Sequence, residues 1–274
     1  MSQLKLSNAR KLAEASVMLA LATVLSLIKL VDLPYGGSVT IACMLPIVIV
    51  AYRHGTGIGL LTGFVFGVIQ QLLGLKTLSY VSSWQSVVAV ILLDYIVAFM
   101  VIGLGGIFKK LAAQPIALTL GSVFIGILRY ICHVISGCTV WAGLSIPTNA
   151  ALVYSLGYNA TYMIPETIVT ALLAYYIGTV LDFNNEDITR LKKTESAARS
   201  VFKWLAGLLI VAALTFDVAS IFSKLQNAES GDFDITGLSV VNWPVIAIVS
   251  VIAAVGAAVL FVIANKTKSA PEEK

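Results

Sequence analysis

Four residues that could bind a flat ligand recur at every fourth position of one apolar segment, RYICHVISGCTVW: Arg129, His133, Gly137 and Trp141. Residues four apart lie along one face of a helix, so the four form a single stripe. Glycine has no side chain and would leave space between the imidazole and the indole. Aromatic faces attract cations by roughly 0.5–2 kcal/mol, so this space suits a flat, positively charged ligand. The structural alternative is that Gly137 lets two helices approach closely.

Two acidic residues, Asp94 and Glu166, lie in neighbouring apolar segments. At about 1.5 Å per helical residue, Asp94 lies about 14 Å and His133 about 12 Å from the outer ends of their segments. Arg129 lies about 18 Å and Glu166 roughly 8 Å from that side. The depths predict a pocket that opens outward, with Asp94 accepting hydrogen bonds from an amine. Because charges inside a membrane are costly alone, Arg129 is predicted to pair structurally with Glu166 or Asp94.

The composition places these residues in a membrane protein. Of the 274 residues, 58% are hydrophobic and 12% are charged, and the mean hydropathy is +0.93. Soluble domains carry about 25% charged residues. We therefore expect an all-α integral membrane protein, because helices satisfy their own backbone hydrogen bonds in lipid. Apolar runs of about 20 residues predict eight spans, at 13–32, 38–53, 55–75, 85–108, 115–139, 161–181, 200–222 and 241–264.

The basic residues predict how these spans are oriented. Most of the 18 lysines and arginines fall before the first span, after the last span, or in alternate connections between spans. Lysine and arginine are enriched in cytoplasmic connections. Both termini are therefore predicted to be cytoplasmic.

A charged segment, DFNNEDITRLKKTESAAR at 182–199, separates six predicted spans from two. It predicts a six-helix membrane domain at 8–182, a cytoplasmic linker at 183–199 and two additional transmembrane helices at 200–265. Two external loops, at 76–84 and 142–160, are predicted to border the pocket. They carry aromatic and amide side chains: Tyr80, Trp84, Tyr154, Tyr158 and Asn159.

Several motifs of ATP-driven and catalytic proteins are missing from the sequence. It contains no GxxxxGK[ST] phosphate loop, no HExxH and no CxxC pair. Its three cysteines, Cys43, Cys132 and Cys138, lie in or beside apolar stretches, where cysteine acts as a small hydrophobe. We expect no enzymatic activity, no ATP hydrolysis, no metal site and no cofactor.

Four segments resemble the thiamine-specific substrate-binding (S) components of energy-coupling factor (ECF) transporters: GGSVTIACMLPI at 36–47, LLDYIVAF at 92–99, RYICHVISG at 129–137 and YSLGYNATYMIPE at 154–166. The resemblance covers about residues 8–182. It implies a six-helix bundle in the bacterial plasma membrane that binds thiamine in an outward-facing pocket. It also implies that transport depends on a separate membrane scaffold and two cytoplasmic ATPases, with no nucleic acid involved.

The resemblance further implies roles for individual residues. His133 and Trp141 would enclose the thiazolium ring, Tyr154 and Asn159 would bind the aminopyrimidine, and Asp94 would bind its amino group. The full implied thiamine-binding set is Asp94, Tyr95, His133, Gly137, Trp141, Tyr154 and Asn159, with possible further contacts from Tyr35, Ser38, Tyr80 and Trp84.

The sequence departs from the family pattern in several places. Asp94 stands where some members have the longer glutamate, and Tyr35 is the only aromatic residue between spans 1 and 2, where no tryptophan occurs. Spans 7 and 8 lie beyond the usual six-helix unit. The Ala-x-x-x-Ala motif that docks such components on the scaffold corresponds here to Ser16-x-x-x-Ala20. Small residues four apart permit close helix packing, so Ser16 and Ala20 are predicted to form the docking surface.

Two other functions also fit the sequence. A stand-alone secondary transporter of a cationic vitamin could use Asp94, Glu166 or His133 as a proton relay, although no repeat relates the halves of the chain. An S component for a different flat vitamin, such as another pyrimidine or a flavin, would use the same aromatic faces. An intramembrane enzyme fits least, since no nucleophile–base pair or metal-ligand pair is visible.

Overall fold

The computed structural model describes residues 7–33, 36–81, 83–143, 148–191, 197–225 and 235–267, with the backbone alone for residues 80, 139–143, 148–150, 197 and 235. The chain forms two compact units, Met1–Arg190 and Leu191–Lys274. The helices of the first unit are α1 (Asn8–Leu27), α2 (Leu45–His54), α3 (Thr56–Leu73), α4 (Trp84–Lys110), α5 (Gln114–Gly143) and α6 (Thr148–Val180). The helices of the second unit are α7 (Ala197–Phe222) and α8 (Trp243–Lys266).

Short strands and 3-10 helices connect these helices. Two antiparallel pairs occur in the first unit, β1 (Lys29–Asp32) with β2 (Ser38–Thr40), and β3 (Leu181–Asp182) with β4 (Thr189–Arg190). The 3-10 helices are Leu75–Tyr80, after α3, and Ile235–Val240, before α8. The β1–β2 hairpin lies between α1 and α2.

Six helices in the described part of the chain, α3 to α8, are long and apolar enough to cross a membrane. The two other predicted spans correspond to α1 and α2. With 10 residues, α2 is about 15 Å long, half of the roughly 30 Å hydrocarbon core. The predicted span at 38–53 is helical only from Leu45, because residues 38–40 form β2 and Pro46 favours the first turn of a helix.

The short helix α2 forms the centre of the first unit. Helices α1, α3, α4 and α5 pack around it, and all of its residues except His54 are buried. Ile47, Val48 and Tyr52 contribute to a continuous apolar core that also includes Phe66 of α3 and Phe99 of α4. A helix surrounded in this way is apolar on every face, which explains why the sequence shows it as an uninterrupted apolar run.

Glycines allow α4 to contact its neighbours backbone to backbone. A Cβ at Gly103 would overlap the backbone of Gly59 in α3, and a Cβ at Gly121 in α5 would overlap the carbonyl oxygen of Gly105. Helices in membranes associate closely where small residues face each other. These contacts therefore set the distance of α4 from both α3 and α5.

The winding of α4 changes along its length. Trp84–Ala89 is α-helical, Val90–Val97 is a π-helix, Ala98–Met100 is α-helical and Val101–Lys110 is a 3-10 helix. A π-helical turn contains an additional residue, and such turns are frequent at functional sites. Asp94 lies within the π-helical stretch. The apolar run VILLDYIV carries no pattern that predicts this winding.

A buried arginine joins three parts of the first unit at the N-terminal end of α1. The guanidinium of Arg53, at the end of α2, pairs with Glu14 of α1 at 2.9 Å. It also donates hydrogen bonds to the carbonyl oxygens of Phe183, Asn185 and Glu186, between β3 and β4. The network therefore ties α1 and α2 to the segment that follows α6.

The second unit consists of the helix pair α7 and α8. The Ser250 hydroxyl of α8 donates to Oδ2 of Asp217 in α7 at 2.6 Å, and Arg199 donates to the carbonyl oxygen of Ala264. Alanines at 253 and 257 lie buried on α8, whereas most of its larger apolar side chains are exposed. An exposed apolar surface of this kind is typical of a helix that faces lipid.

Candidate ligand-binding site

Asp94 and His133 form the centre of a polar cluster in the first unit. Nδ1 of His133 lies 2.9 Å from Oδ1 of Asp94, and the Ser136 hydroxyl donates to Oδ2 at 2.8 Å. His133 and Ser136 lie one turn apart on α5, so a single helix face holds both oxygens of a carboxylate from α4. The structure thus brings together the acid and the imidazole that the sequence places at similar depths.

Arg129 lies one turn before His133 on α5 and is almost completely buried. Its Nη1 donates to Sδ of Met44 at 2.9 Å, and its Nη2 lies 3.4 Å from Nε2 of His133. The guanidinium carbon lies 4.4 Å from the centre of the Phe99 ring. Among the described residues no carboxylate oxygen lies within 4.0 Å of Arg129. The predicted structural pair of Arg129 with Glu166 or Asp94 is therefore wrong.

Glu166 of α6 has other partners, which explains the missing pair. Its carboxylate accepts hydrogen bonds from the backbone N–H and, at 2.7 Å, the hydroxyl of Thr40. The Cys43 thiol lies 3.6 Å from Oε1. Because Thr40 ends β2 and Cys43 precedes α2, Glu166 ties α6 to the junction of the hairpin and α2. Asp94 is likewise occupied by His133 and Ser136.

Tyr154 and Asn159 lie within α6, so the prediction that they belong to an external loop at 142–160 is wrong. The amide nitrogen of Asn159 donates to the carbonyl oxygens of His133 and Ser155, at 3.2 and 2.8 Å. Its amide oxygen accepts from the Tyr162 hydroxyl at 2.6 Å. Asn159 therefore holds α6 against α5 at the level of His133, and one lone pair of its oxygen is left for a ligand.

Gly137 lies at a close approach of α5 and α6. A Cβ at this position would overlap the hydroxyl of Ser155 and lie 3.2 Å from Nδ2 of Asn159. The Ser155 hydroxyl in turn donates to the carbonyl oxygen of Val134 at 2.7 Å. Ser155 and Asn159 of α6 thus lie beside this glycine, which agrees with the structural alternative, and a ligand contact at Gly137 stays a prediction.

A tyrosine stripe on α6 faces this cluster. Tyr154, Tyr158 and Tyr162 follow one another at four-residue intervals. The rings of Tyr158 and Tyr162 are 5.7 Å apart, and the Tyr162 ring is 5.9 Å from that of His133. The Tyr158 hydroxyl accepts from the backbone N–H of Gly37, beside β2, at 2.9 Å. The stripe therefore connects the hairpin with the imidazole.

Sequence reasoning missed four residues that the structure adds to the site: Thr40, Ser136, Ser155 and Tyr162. The spacing of residues in the sequence could have identified two of them. Ser136 follows His133 by three positions, and Tyr162 continues the four-residue spacing of the tyrosines, both of which place residues on a shared helix face. The Thr40 contact joins residues 126 positions apart, and no pattern in the sequence indicates it.

The structure also describes Tyr95, Ser38 and Trp84, which are further predicted site residues. The Tyr95 hydroxyl donates to Thr77 at 3.1 Å, and Ser38 begins β2 opposite Asp32. Trp84 is 73% exposed at the start of α4. Tyr35 lies outside the described residues, as do the side chains of Tyr80 and Trp141; the backbone of Trp141 belongs to α5.

The cluster is suited to binding rather than to covalent chemistry. A carboxylate offers about four acceptor positions, so Asp94 can accept further hydrogen bonds while His133 and Ser136 hold it. Aromatic rings of α6 lie beside the imidazole. An acceptor next to aromatic faces recognises a flat ligand that carries an amine and a positive charge.

The first unit is similar to known proteins. The family model described as thiamine transporter protein (Thia_YuaJ) matches residues 12–183. The chain is 35% identical to thiamine transporter ThiT of Bacillus subtilis (strain 168) over 175 residues, which are 60% of this chain and 87% of that protein. The matched family residues end before α7 and α8.

The fold is also similar to a solved structure of ThiT from Listeria monocytogenes. The TM-score is 0.51 at 21% sequence identity, and the match covers 61% of this chain and 92% of that chain. At this identity the structural likeness supports a shared fold.

Proposed function

Because the chain belongs to the thiamine transporter family, we propose that it binds thiamine tightly in its first unit as the S component of an ECF transporter. It is a multi-pass protein of the bacterial plasma membrane, and its family consists of transport proteins rather than enzymes. The observation that carries the proposal is the contact of Asp94 with His133 beside the tyrosines of α6.

The proposed pose places the aminopyrimidine of thiamine at Asp94 and its thiazolium at aromatic faces. Asp94 would accept a hydrogen bond from the exocyclic amine, and the free lone pair of the Asn159 oxygen would accept another. His133 and Trp141 would enclose the thiazolium. Further contacts are proposed from Tyr95, Gly137 and Tyr154, with Tyr35, Ser38, Tyr80 and Trp84 nearer the entrance.

We further propose eight spans, with both termini in the cytoplasm and the pocket open to the outside. The support is the distribution of basic residues, which are concentrated in alternate connections. In this topology α1 and α2 complete the six helices of the substrate-binding domain at 8–182. The linker at 183–199 and the transmembrane helices at 200–265 follow it.

Transport is proposed to require partners. The sequence contains no phosphate-binding loop, so energy would come from two cytoplasmic ATPases coupled through a membrane scaffold. Ser16 and Ala20 are exposed on α1, and Ser16 directs its hydroxyl to the carbonyl oxygen of Leu12 at 2.9 Å. Neighbouring Val17 and Leu21 are also exposed. Such a surface of small and apolar residues fits close packing against another membrane helix. No cofactor is proposed.

Ligand titration tests the binding proposal. Purified full-length protein in detergent should bind thiamine saturably without nucleotide, with quenching of tryptophan fluorescence and a calorimetric signal. Trp141→Phe should remove most of the quenching, whereas Trp204→Phe, in the second unit, should leave it unchanged. Absence of saturable binding by both methods would overturn the thiamine assignment.

Reconstitution tests the dependence on partners. Proteoliposomes that contain this chain alone should not accumulate thiamine under a proton gradient. Accumulation should require the scaffold, both ATPases and ATP. Uptake by the isolated chain, driven by the proton gradient, would instead identify a stand-alone secondary transporter.

A further inference from the structure

The neighbours of His133 determine where its imidazole carries a proton. Nε2 of His133 faces Nη2 of Arg129 at 3.4 Å, the long end of hydrogen-bonding distance. Arginine stays protonated in proteins and its guanidinium has no acceptor atom. Nε2 must therefore be the acceptor in this contact and carry no hydrogen. Nδ1 then carries the hydrogen and donates a hydrogen bond to Asp94 at 2.9 Å.

In the part of the chain that the structure describes, Arg129 has no carboxylate oxygen within 4.0 Å that could draw it away from the imidazole. Its other contacts there are the Met44 thioether and the face of the Phe99 ring, and its Nε atom has no hydrogen-bond partner among the described residues. Protonation of His133 would place two cations 3.4 Å apart in a buried site. That repulsion is much stronger in a protein interior than in water.

The titratable groups that contact the imidazole are Arg129 on α5 itself, Asp94 on α4 and Tyr162 on α6. Tyr95 on α4, Glu166 on α6 and Cys43 before α2 lie around Arg129 and Tyr162. Both carboxyl groups accept hydrogen bonds through both oxygens, so each is held by donors of the protein. With a neutral imidazole, Arg129 is the one cation among these named groups.

We propose that Arg129 holds His133 as the neutral imidazole protonated on Nδ1, and that this makes the site selective for a permanent cation. The inference rests on the proposed binding of thiamine, whose thiazolium ring is such a cation. A neutral imidazole presents an uncharged ring to the thiazolium. An imidazolium would add a second positive charge beside it. Arg129 acts through His133 and is a positioning residue for ligand selectivity.

Nitrogen NMR of the full-length protein tests the tautomer without any change at the site. The chain has two histidines, so His54→Gln identifies the signals of His133 in protein labelled with 15N-histidine. The expected result at pH 7 is a protonated Nδ1 and an unprotonated Nε2. A doubly protonated ring, or a proton on Nε2 alone, would overturn the proposal.

Ligand selectivity tests the proposed consequence of this tautomer. The affinities to compare are those for thiamine and for a neutral analogue with thiophene in place of thiazolium. In the unmodified chain thiamine should bind more tightly than the neutral analogue, and its affinity should be the same at pH 6 and at pH 8. In Arg129→Gln the amide can accept from Nε2–H, so His133 is free to protonate. The preference for thiamine should then fall by on the order of tenfold at pH 6 and recover toward pH 8.

Arg129→Lys serves as the conservative variant, because it keeps a positive charge and a donor and should retain the preference. Equal loss of affinity for both ligands in Arg129→Gln, without pH dependence, would show a merely structural role and overturn the selectivity proposal. If Arg129→Gln does not fold, the NMR measurement on the His54→Gln protein still decides the tautomer. If the unmodified chain binds neither ligand, the proposed function fails, and the NMR result separates that failure from an incorrect tautomer.

Discussion

Ser136 donates its hydroxyl to Oδ2 of Asp94 at 2.8 Å, while His133 contacts Oδ1 of the same carboxylate at 2.9 Å. Two residues of α5 thus hold both oxygens and fix the plane of the carboxylate. Ser136 is completely buried, so its hydroxyl has been withdrawn from water. The orientation of the acid is therefore set before any ligand arrives, which lowers the entropic cost of binding.

Ser136→Ala should weaken thiamine binding by about threefold to tenfold, the effect of a net hydrogen bond of about 0.5–1.5 kcal/mol. Titration calorimetry on the purified variant measures it. Ser122→Ala is the matched control, because Ser122 is equally buried on α5 but bonds to the carbonyl oxygen of Leu118. Equal affinities of Ser136→Ala and Ser122→Ala would show that the Asp94 contact has no role in binding.

Gly137→Ala should separate α5 from α6. Its Cβ would overlap the Ser155 hydroxyl, and the shift would disturb the bond from Asn159 to the carbonyl oxygen of His133. Overpacking of this kind costs about 1–3 kcal/mol, so we expect a lower unfolding midpoint in detergent and weaker thiamine binding. Gly57→Ala in α3, where a Cβ meets open space, should leave both properties unchanged. A Gly137→Ala protein with normal affinity would contradict this account.

Glu166→Ala should destabilise the first unit by about 1–3 kcal/mol for each Thr40 donor left without an acceptor. The thermal unfolding midpoint of Glu166→Gln should be close to that of the unmodified protein, because the amide can accept from the Thr40 N–H and donate to its hydroxyl. Transport by the reconstituted complex should also survive Glu166→Gln. Loss of transport in a well-folded Gln variant would favour a proton relay at this position instead of a structural tie.

Arg53→Met should destabilise the first unit by on the order of 3 kcal/mol, because it removes the buried guanidinium from Glu14, which keeps only Arg10 and His54 as partners among the described residues, and leaves three carbonyl oxygens without this donor. The unfolding midpoint in detergent is the measurement. Arg190→Met removes a charge from an exposed position of the same unit and should change the midpoint little. Equal midpoints for the two variants would show that the Arg53 network adds no stability.

Much of the helical architecture could be predicted because membrane helices need long apolar runs. The predicted spans at 55–75, 115–139 and 200–222 agree with α3, α5 and α7 to within a few residues at most ends. The span at 161–181 misses the first turns of α6, since the polar residues of 148–160 resemble a loop in composition. Those turns pack on α5 through Ser155 and Asn159, so their polar atoms are satisfied inside the protein.

The candidate site could be predicted in part. Spacing and depth were sufficient to place Asp94 near His133, because both arguments depend only on helix geometry. The partner of Arg129 could not be predicted, because hydrogen-bond donors from Thr40, far away in sequence, occupy Glu166. Competition between distant groups for one buried acid is a property of the folded chain.

The π-helical stretch of α4 makes the geometry of the site dependent on the exact number of residues between its flanking contacts. Gly103 and Gly105 fix the later part of α4 against α3 and α5, so that part cannot rotate freely. Loss of one residue from 90–97 would let part of the stretch return to ordinary α-helical winding and would change how Asp94 is directed toward α5. Insertions and deletions, which membrane proteins usually tolerate in their loops, would thus act at this position as changes of binding specificity.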